Sequence, residues 1–190
     1  MGIAKKQIAG LVFMLPLAAM LISESRVQAQ TIPFTVAGRG AGGGFSVGGV
    51  PSPFGAKGIS FPVGLYKSEN GVAISQSFDG VGMGTFKGTF TFVNKRTGAR
   101  LATTFGDTSN GANSVWTYMA IPVSAELVRI LFIAEFNPIA GESTGLFSKV
   151  TSGSLTMYAL TEPIPPVFDE QGFSVPFTFN WVGTGSLTFD

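Results

Sequence analysis

The chain contains no histidine and no cysteine. Without imidazole there is no Ser-His-Asp triad and no acid or base of the usual kind near neutral pH. Without thiol there is no cysteine nucleophile and no disulfide. The two absences together remove the usual zinc and copper ligands. Charge is scarce as well, at 12% of residues, with 12 Lys and Arg against 11 Asp and Glu. Nucleic-acid binding needs a clustered basic face, and the sequence offers only Lys95, Arg96 and Arg100 around a Thr97-Gly98 turn. That cluster reads as a solvated hairpin tip, so nucleic acid is excluded as a partner. Asp107, Asn110 and Asn113 come near a calcium loop but lack its closing Glu. No metal and no cofactor is expected, and the remaining chemistry is that of carboxylate, lysine, tyrosine and serine.

Long apolar runs are limited to one. Lys5 and Lys6 precede an apolar stretch from Ile8 to Ile22 that Pro16 interrupts, and Val27-Gln28-Ala29 supplies a small-x-small cleavage pattern. Residues 1–29 therefore read as a signal peptide cut after Ala29. The stretch is shorter than the roughly 20 residues of a membrane-spanning helix, and Leu127 to Phe136, the best later candidate, carries Arg129 and Glu135. The expectation is a secreted or periplasmic protein with no membrane span after signal removal. Loss of Lys5, Lys6, Glu24 and Arg26 takes the net charge from +1 to about −1. A secreted chain without disulfides must be held by packing alone.

Glycine and phenylalanine are what the chain has in abundance, 26 and 18 residues respectively. Few charges and many aromatics mark a chain that folds. Residues 30–58 differ from the rest: Gly38 to Gly44, Gly48-Gly49 and Pro51-Ser52-Pro53 read as a Gly/Pro-rich arm, because glycine loses the most backbone entropy on ordering. No helix start with Lys-Ser/Thr follows, so this is no phosphate-binding loop. From residue 59 to 190 the pattern is β. Val72, Ile74, Gln76 and Phe78 alternate with Ala73, Ser75 and Ser77; Phe86, Phe90 and Phe92 alternate with threonines; Phe173, Val175, Phe177 and Phe179 alternate with polar residues and Pro176. Such period-two runs, separated by Asn-Gly, Asp-Gly and Thr-Gly turns, predict half-buried antiparallel strands. Ser124 to Arg129 could open a helix, but the β-branched and aromatic residues that follow favour a strand from about Leu127. The fold class predicted is all-β: a small antiparallel β-barrel of about eight strands preceded by the arm.

Three motifs occur in order. Gly82-Met-Gly-Thr-Phe-Lys-Gly-Thr-Phe-Thr91, Gly106-Asp107-Thr108 and Ser143-Thr-Gly-Leu-Phe-Ser-Lys-Val-Thr-Ser-Gly-Ser154 together resemble a family of secreted bacterial β-barrels related in fold to allene oxide cyclase and dirigent proteins. Phe86 stands where that family commonly has histidine, and Leu146 replaces its usual basic residue. The resemblance implies an eight-stranded antiparallel barrel with an apolar cavity. It carries over no site residue and no reaction.

Candidate ligand contacts come from the residues themselves. Arg129 and Glu135 share one face of a strand whose other face, Val128 to Phe136 in alternation, is wholly apolar. Facing a cavity, the pair would orient a polar end of a ligand, at a cost unless each is partnered. Facing solvent, the two are ordinary surface charges. Trp116, Tyr118, Tyr158 and Trp181 form either a stacking surface or packed core. The function these features suggest is a non-catalytic binding or surface protein for a hydrophobic small molecule, since a barrel of about eight strands can just hold one. An isomerase or cyclase confining a flexible substrate is the alternative, with Glu135 or Tyr118 in contact with it. A structural matrix component self-associating through its arm by strand addition is another.

Overall fold

The computed structural model describes residues 29–46, 50–106, 116–166, 168–169, 172–173 and 175–190. The signal-peptide reading, the Asp107–Asn113 segment and the greater part of the Gly106-Asp107-Thr108 turn lie outside these residues. The strands in chain order are β1 (Gln30–Gly42), β2 (Phe45–Ser46), β3 (Ser52–Phe61), β4 (Gly64–Phe78), β5 (Met83–Asn94), β6 (Arg100–Phe105), β7 (Trp116–Pro122), β8 (Val128–Pro138), β9 (Val150–Thr161), β10 (Phe168–Asp169), β11 (Gly172–Phe173) and β12 (Phe177–Phe189). Among the described residues the only helical element is a short 3-10 turn, Gly145–Phe147.

Nine of these strands form one antiparallel sheet that closes on itself. Around the ring run β1, β12, β9 and β8, then β5, β4 and β3, with β3 returning to β1. β6 and β7 share the slot between β8 and β5. β6 pairs with the later part of β5 from Gly88 to Val93, and β7 pairs with its start from Met83 to Thr85. The ring therefore has eight positions filled by nine strands, the barrel that the alternating phenylalanines predict. Closure leaves each long strand paired on both sides, which removes the exposed edges an open sheet would present. β2, β10 and β11 make a separate three-stranded patch.

Within residues 30–58, β1 and β3 are part of the barrel rather than an arm apart from it. β1 pairs with β12 along its whole length, from Gln30–Phe189 to Gly42–Phe177, and with β3 from Thr35 to Gly42. The glycines that suggested flexibility are there for space. Gly38, Gly40 and Gly42 lie directly across from Trp181, Phe179 and Phe177. A Cβ on Gly38 would sit 2.9 Å from Trp181 Nε1, one on Gly40 2.8 Å from Phe179 Cε1, and one on Gly42 2.6 Å from Phe177 Cζ. Further along the same ladder the sizes exchange sides: Phe34 faces Gly185 and Val36 faces Gly183. Gly84 likewise faces Tyr118, and Gly88 faces Phe105. Small-to-large pairing of this kind lets an eight-position barrel hold many rings in its lumen without overpacking.

The inner faces of β5 and β8 are as the alternation predicts, with Phe86, Phe90, Phe92, Ile130, Ala134 and Phe136 buried. β4 differs. Ser75 is buried and Gln76 is exposed, so Ala73 and Ser75 point inward where Val72, Ile74 and Gln76 were expected. Two register shifts against β5, at Glu69/Val72 and Ser75/Ser77, change the parity twice. Each bulge moves the following side chains to the other face, which puts Ala73 and Ser75 inside between the inward Tyr66 and Phe78. The strand expected across Phe173 to Asn180 is also split: β12 begins at Phe177, after Pro176, while Phe173 belongs to β11.

Candidate functional site

The lumen is filled by one aromatic cluster centred on Trp181. Its ring lies 4.9 Å from Phe90, 5.8 Å from Phe179 and 6.1 Å from both Phe92 and Phe136, centroid to centroid. Phe92 is stacked on the indole and the other three rings meet it edge-on, contacts that add to the apolar burial itself. The indole N–H donates to Tyr66 Oη at 2.6 Å, so the one polar atom of the indole is satisfied inside the core. Burial pushes the Tyr66 hydroxyl up to about 12, with the Trp181 hydrogen bond opposing this in part. Tyr118 is buried too, stacked on Phe78, and donates to the Ser77 carbonyl at 3.2 Å. Its pKa is raised, first by desolvation and also by the Asp79 charge, while the Ser75 hydroxyl lowers it. Both phenols hold their protons at any physiological pH and serve as structural hydrogen-bond partners.

Toward the end of the barrel where β1 finishes and β3 and β12 begin, the packing leaves a cavity of about 60 Å³. Phe54, Phe86, Phe132, Phe136, Phe177 and Trp181 form most of its wall, and among the described residues Ser52 is the only hydroxyl-bearing one lining it. The chain leads from this end directly into β2 and out of β11. At the other end, Phe147 from the 3-10 turn is fully buried and Thr144 bridges to Arg100.

The six residues singled out from the sequence do not converge. Trp181 lines the cavity and Tyr118 lies in the core outside it. For Arg129 and Glu135 the solvent-facing alternative is the one found, and neither is a cavity contact. Both stand on the outer face of β8, opposite the buried Val128, Ile130, Ala134 and Phe136. Arg129 reaches Glu162 at 3.8 Å, and Glu135 accepts a hydrogen bond from Ser154 Oγ. An apolar lumen gives an ion no compensation, so the pleat sends both charges to water. Tyr158 is likewise on the outside, next to Val182. For Trp116 only the backbone is described, paired with Ala134. The residue the sequence reading passed over is Tyr66. Its signal was present, as the one aromatic between Leu65 and Lys67, but the partner that makes it matter is 115 positions away.

The outer wall carries a second concave feature. A groove of about 640 Å³ crosses β4, β3, β1 and β12, bordered by Lys67, Lys57, Arg39, Asn180 and Glu162, with Ala41 and Gly55 among its small residues. Ser68 Oγ accepts from the Ala56 N–H at 2.9 Å and holds the register shift of β3 open there.

Comparison with family models, with curated proteins and with solved structures finds no match for this chain.

Proposed function

We infer that this is an exported, non-catalytic binding protein whose barrel end accepts a small apolar group. The observation that carries this reading is the cavity itself: an aromatic-walled space at one end of an otherwise filled lumen. Its volume, about 60 Å³, is less than half of the roughly 150 Å³ that admits benzene to an engineered protein core. The occupant is therefore one small apolar moiety, such as a short acyl end or a branched methyl group. Entry requires a wall residue to shift, and Phe132, partly buried against the cluster, is the best placed.

The described lining, aromatic and aliphatic apart from Ser52, supports binding rather than turnover. Among the described residues no carboxylate, lysine or arginine borders the cavity, and of the two polar contacts considered for an isomerase or cyclase, Glu135 is on the outer face and Tyr118 lies in the core outside the cavity. The motif resemblance supports a barrel with an apolar interior and adds no reacting group. An outer-membrane barrel would show polar residues inside and an apolar band outside, whereas here phenylalanines fill the inside and Arg39, Lys57 and Lys67 stand outside.

Thermal melting of the protein with short alkanols such as butanol or hexanol tests the reading, with benzene as a probe too large for the wild-type cavity. Ligand at about 100 times its Kd adds roughly 2.7 kcal/mol by mass action. A rise in Tm for the wild type, absent in Ala73→Leu and larger in Phe132→Ala, is the expected pattern. If no probe raises the Tm of either wild type or Phe132→Ala, the cavity is only a packing defect.

A further inference from the structure

Arg39, Lys57 and Lys67 are remote in sequence but adjacent in the sheet. Arg39 on β1 is directly opposite Lys57 on β3, and Lys57 is directly opposite Lys67 on β4. All three are exposed on the outer face. Like charges at directly opposed positions are unfavourable in a sheet, and among the described residues only Lys67 of this row has a carboxylate within ion-pair distance. Among the described residues neither Arg39 nor Lys57 has an ion pair. Lys67 has Glu69 at 3.8 Å, and the other oxygen of that carboxylate already holds Arg100. Three cations thus stand side by side at the strand spacing of about 4.8 Å, along an open groove of about 640 Å³.

The surroundings of the row specify the anion. Continuing the register onto β12 brings Asn180, whose amide donates to Glu162 at 3.2 Å, and Thr178 and Ser68 line the same groove. Amides, hydroxyls and a carboxylate are partners for sugar hydroxyls, which a lipid headgroup phosphate does not offer in a row. One residue pair along the strands, a second row runs parallel to the cations: Leu65, Ile59, Ala37, Val182 and Tyr158, each opposite the next across five strands and each exposed. An apolar shelf beside a line of cations matches a chain of pyranose rings that carries carboxylates along one edge. The strand spacing is close to the advance of one ring. A flat bilayer touches only the crest of a curved barrel wall, whereas a flexible chain follows the row around it.

We propose that the outer groove along Arg39, Lys57 and Lys67 binds an acidic, uronate-containing polysaccharide, with carboxylates on the cations and ring faces on the Ile59–Val182 shelf. This site is separate from the apolar cavity and does not depend on it. The test is retention of the protein on immobilised polygalacturonate, with dextran as the neutral control and with phosphatidylglycerol vesicles and single-stranded DNA as competing anions. Wild type should bind polygalacturonate in a salt-sensitive manner and ignore dextran. Arg39→Gln/Lys57→Gln/Lys67→Gln should lose on the order of tenfold or more in affinity. Lys95→Gln/Arg96→Gln, at the hairpin tip, should lose nothing. Because the triple variant removes like-charge opposition, it should melt no lower than wild type at low salt, which separates lost binding from lost fold. Added polygalacturonate should raise the Tm of wild type and not that of the triple variant. No binding to polygalacturonate, full binding by the triple variant, or equal or tighter binding to the vesicles or DNA would overturn the proposal.

Discussion

Tyr66→Phe is the substitution that best tests how the lumen is held together. It deletes one oxygen and leaves every ring in place, so any effect comes from the Trp181 Nε1–Tyr66 Oη hydrogen bond, 2.6 Å long and fully buried. The indole N–H is then left without a partner in an aromatic interior, at a cost of about 1–3 kcal/mol. For a chain of this size each kcal/mol moves Tm by about 2–4 °C, so the expected drop is about 2–12 °C at neutral pH. The same residue predicts a pH dependence with a definite sign. A phenol whose folded pKa is about 12 rather than 10 keeps its proton in the native state after the unfolded state has released its own. Its contribution is complete below pH 10 and disappears as pH rises toward 12. At 1.36 kcal/mol per unit, wild type should lose roughly 3 kcal/mol over that window that Tyr66→Phe does not lose. Tyr118 is common to both proteins and cancels in the comparison. Denaturant melts at stepped pH, with ultraviolet absorbance to follow phenol ionisation, supply the measurement. A stability difference that stays constant from pH 9 to pH 12, or a Tyr66 that ionises with the solvent-exposed phenols, would refute the buried pair.

Other substitutions probe the remaining parts of the structure. Gly40→Ala places a Cβ 2.8 Å from Phe179 Cε1 and against the Gly55 carbonyl, and should cost about 1–3 kcal/mol by denaturant titration. Gly43→Ala meets nothing within 4 Å and should be neutral or stabilising by a few tenths to about 1 kcal/mol; equal effects at the two sites would contradict the tight β1–β12 packing. Ser60 Oγ is buried with no hydrogen-bond partner among the described residues, so Ser60→Ala should leave Tm unchanged or raise it, and a large loss would reveal a partner. Asp79 accepts backbone N–H bonds from Val81, Gly82 and Met83 at 2.8–2.9 Å, which hold its carboxyl below the usual range. The turn it organises should therefore loosen as pH falls through that lowered pKa. Amide exchange at residues 81–83 should accelerate in Asp79→Ala at neutral pH and converge with wild type in acid.

The sequence and the structure agree where alternation is uninterrupted. Phe86, Phe90 and Phe92 sit on one inner face because nothing between them shifts the pleat, and β8 behaves the same way. Agreement fails where a property belongs to two strands at once. The parity of β4 depends on bulges against β5, which no local pattern of β4 records. The cation row is another such property: Arg39, Lys57 and Lys67 look like isolated charges until the β1–β3–β4 register aligns them. The Lys95-Arg96 pair, conspicuous in the sequence, only decorates a turn that Asn94 Oδ1 fixes through the Arg96 and Thr97 amides.

Glycine shows most clearly why the arm was misjudged. Propensity assigns a run such as Gly38 to Gly44 to flexible coil because an isolated glycine has the most conformational freedom to lose. In a closed barrel the deciding quantity is volume in the lumen. Eight positions around a ring leave room for a limited number of side chains per layer, and Trp181, Phe179 and Phe177 on β12 take that room next to β1. Any larger residue at 38, 40 or 42 would displace a ring, and the cross-strand ladder supplies the ordering that the glycines lack on their own. The exchange of sizes at Phe34–Gly185 and Val36–Gly183 extends the rule to the other half of the ladder. Glycine content and aromatic content are thus two aspects of one packing solution, and in a chain without disulfides that solution must hold the barrel closed.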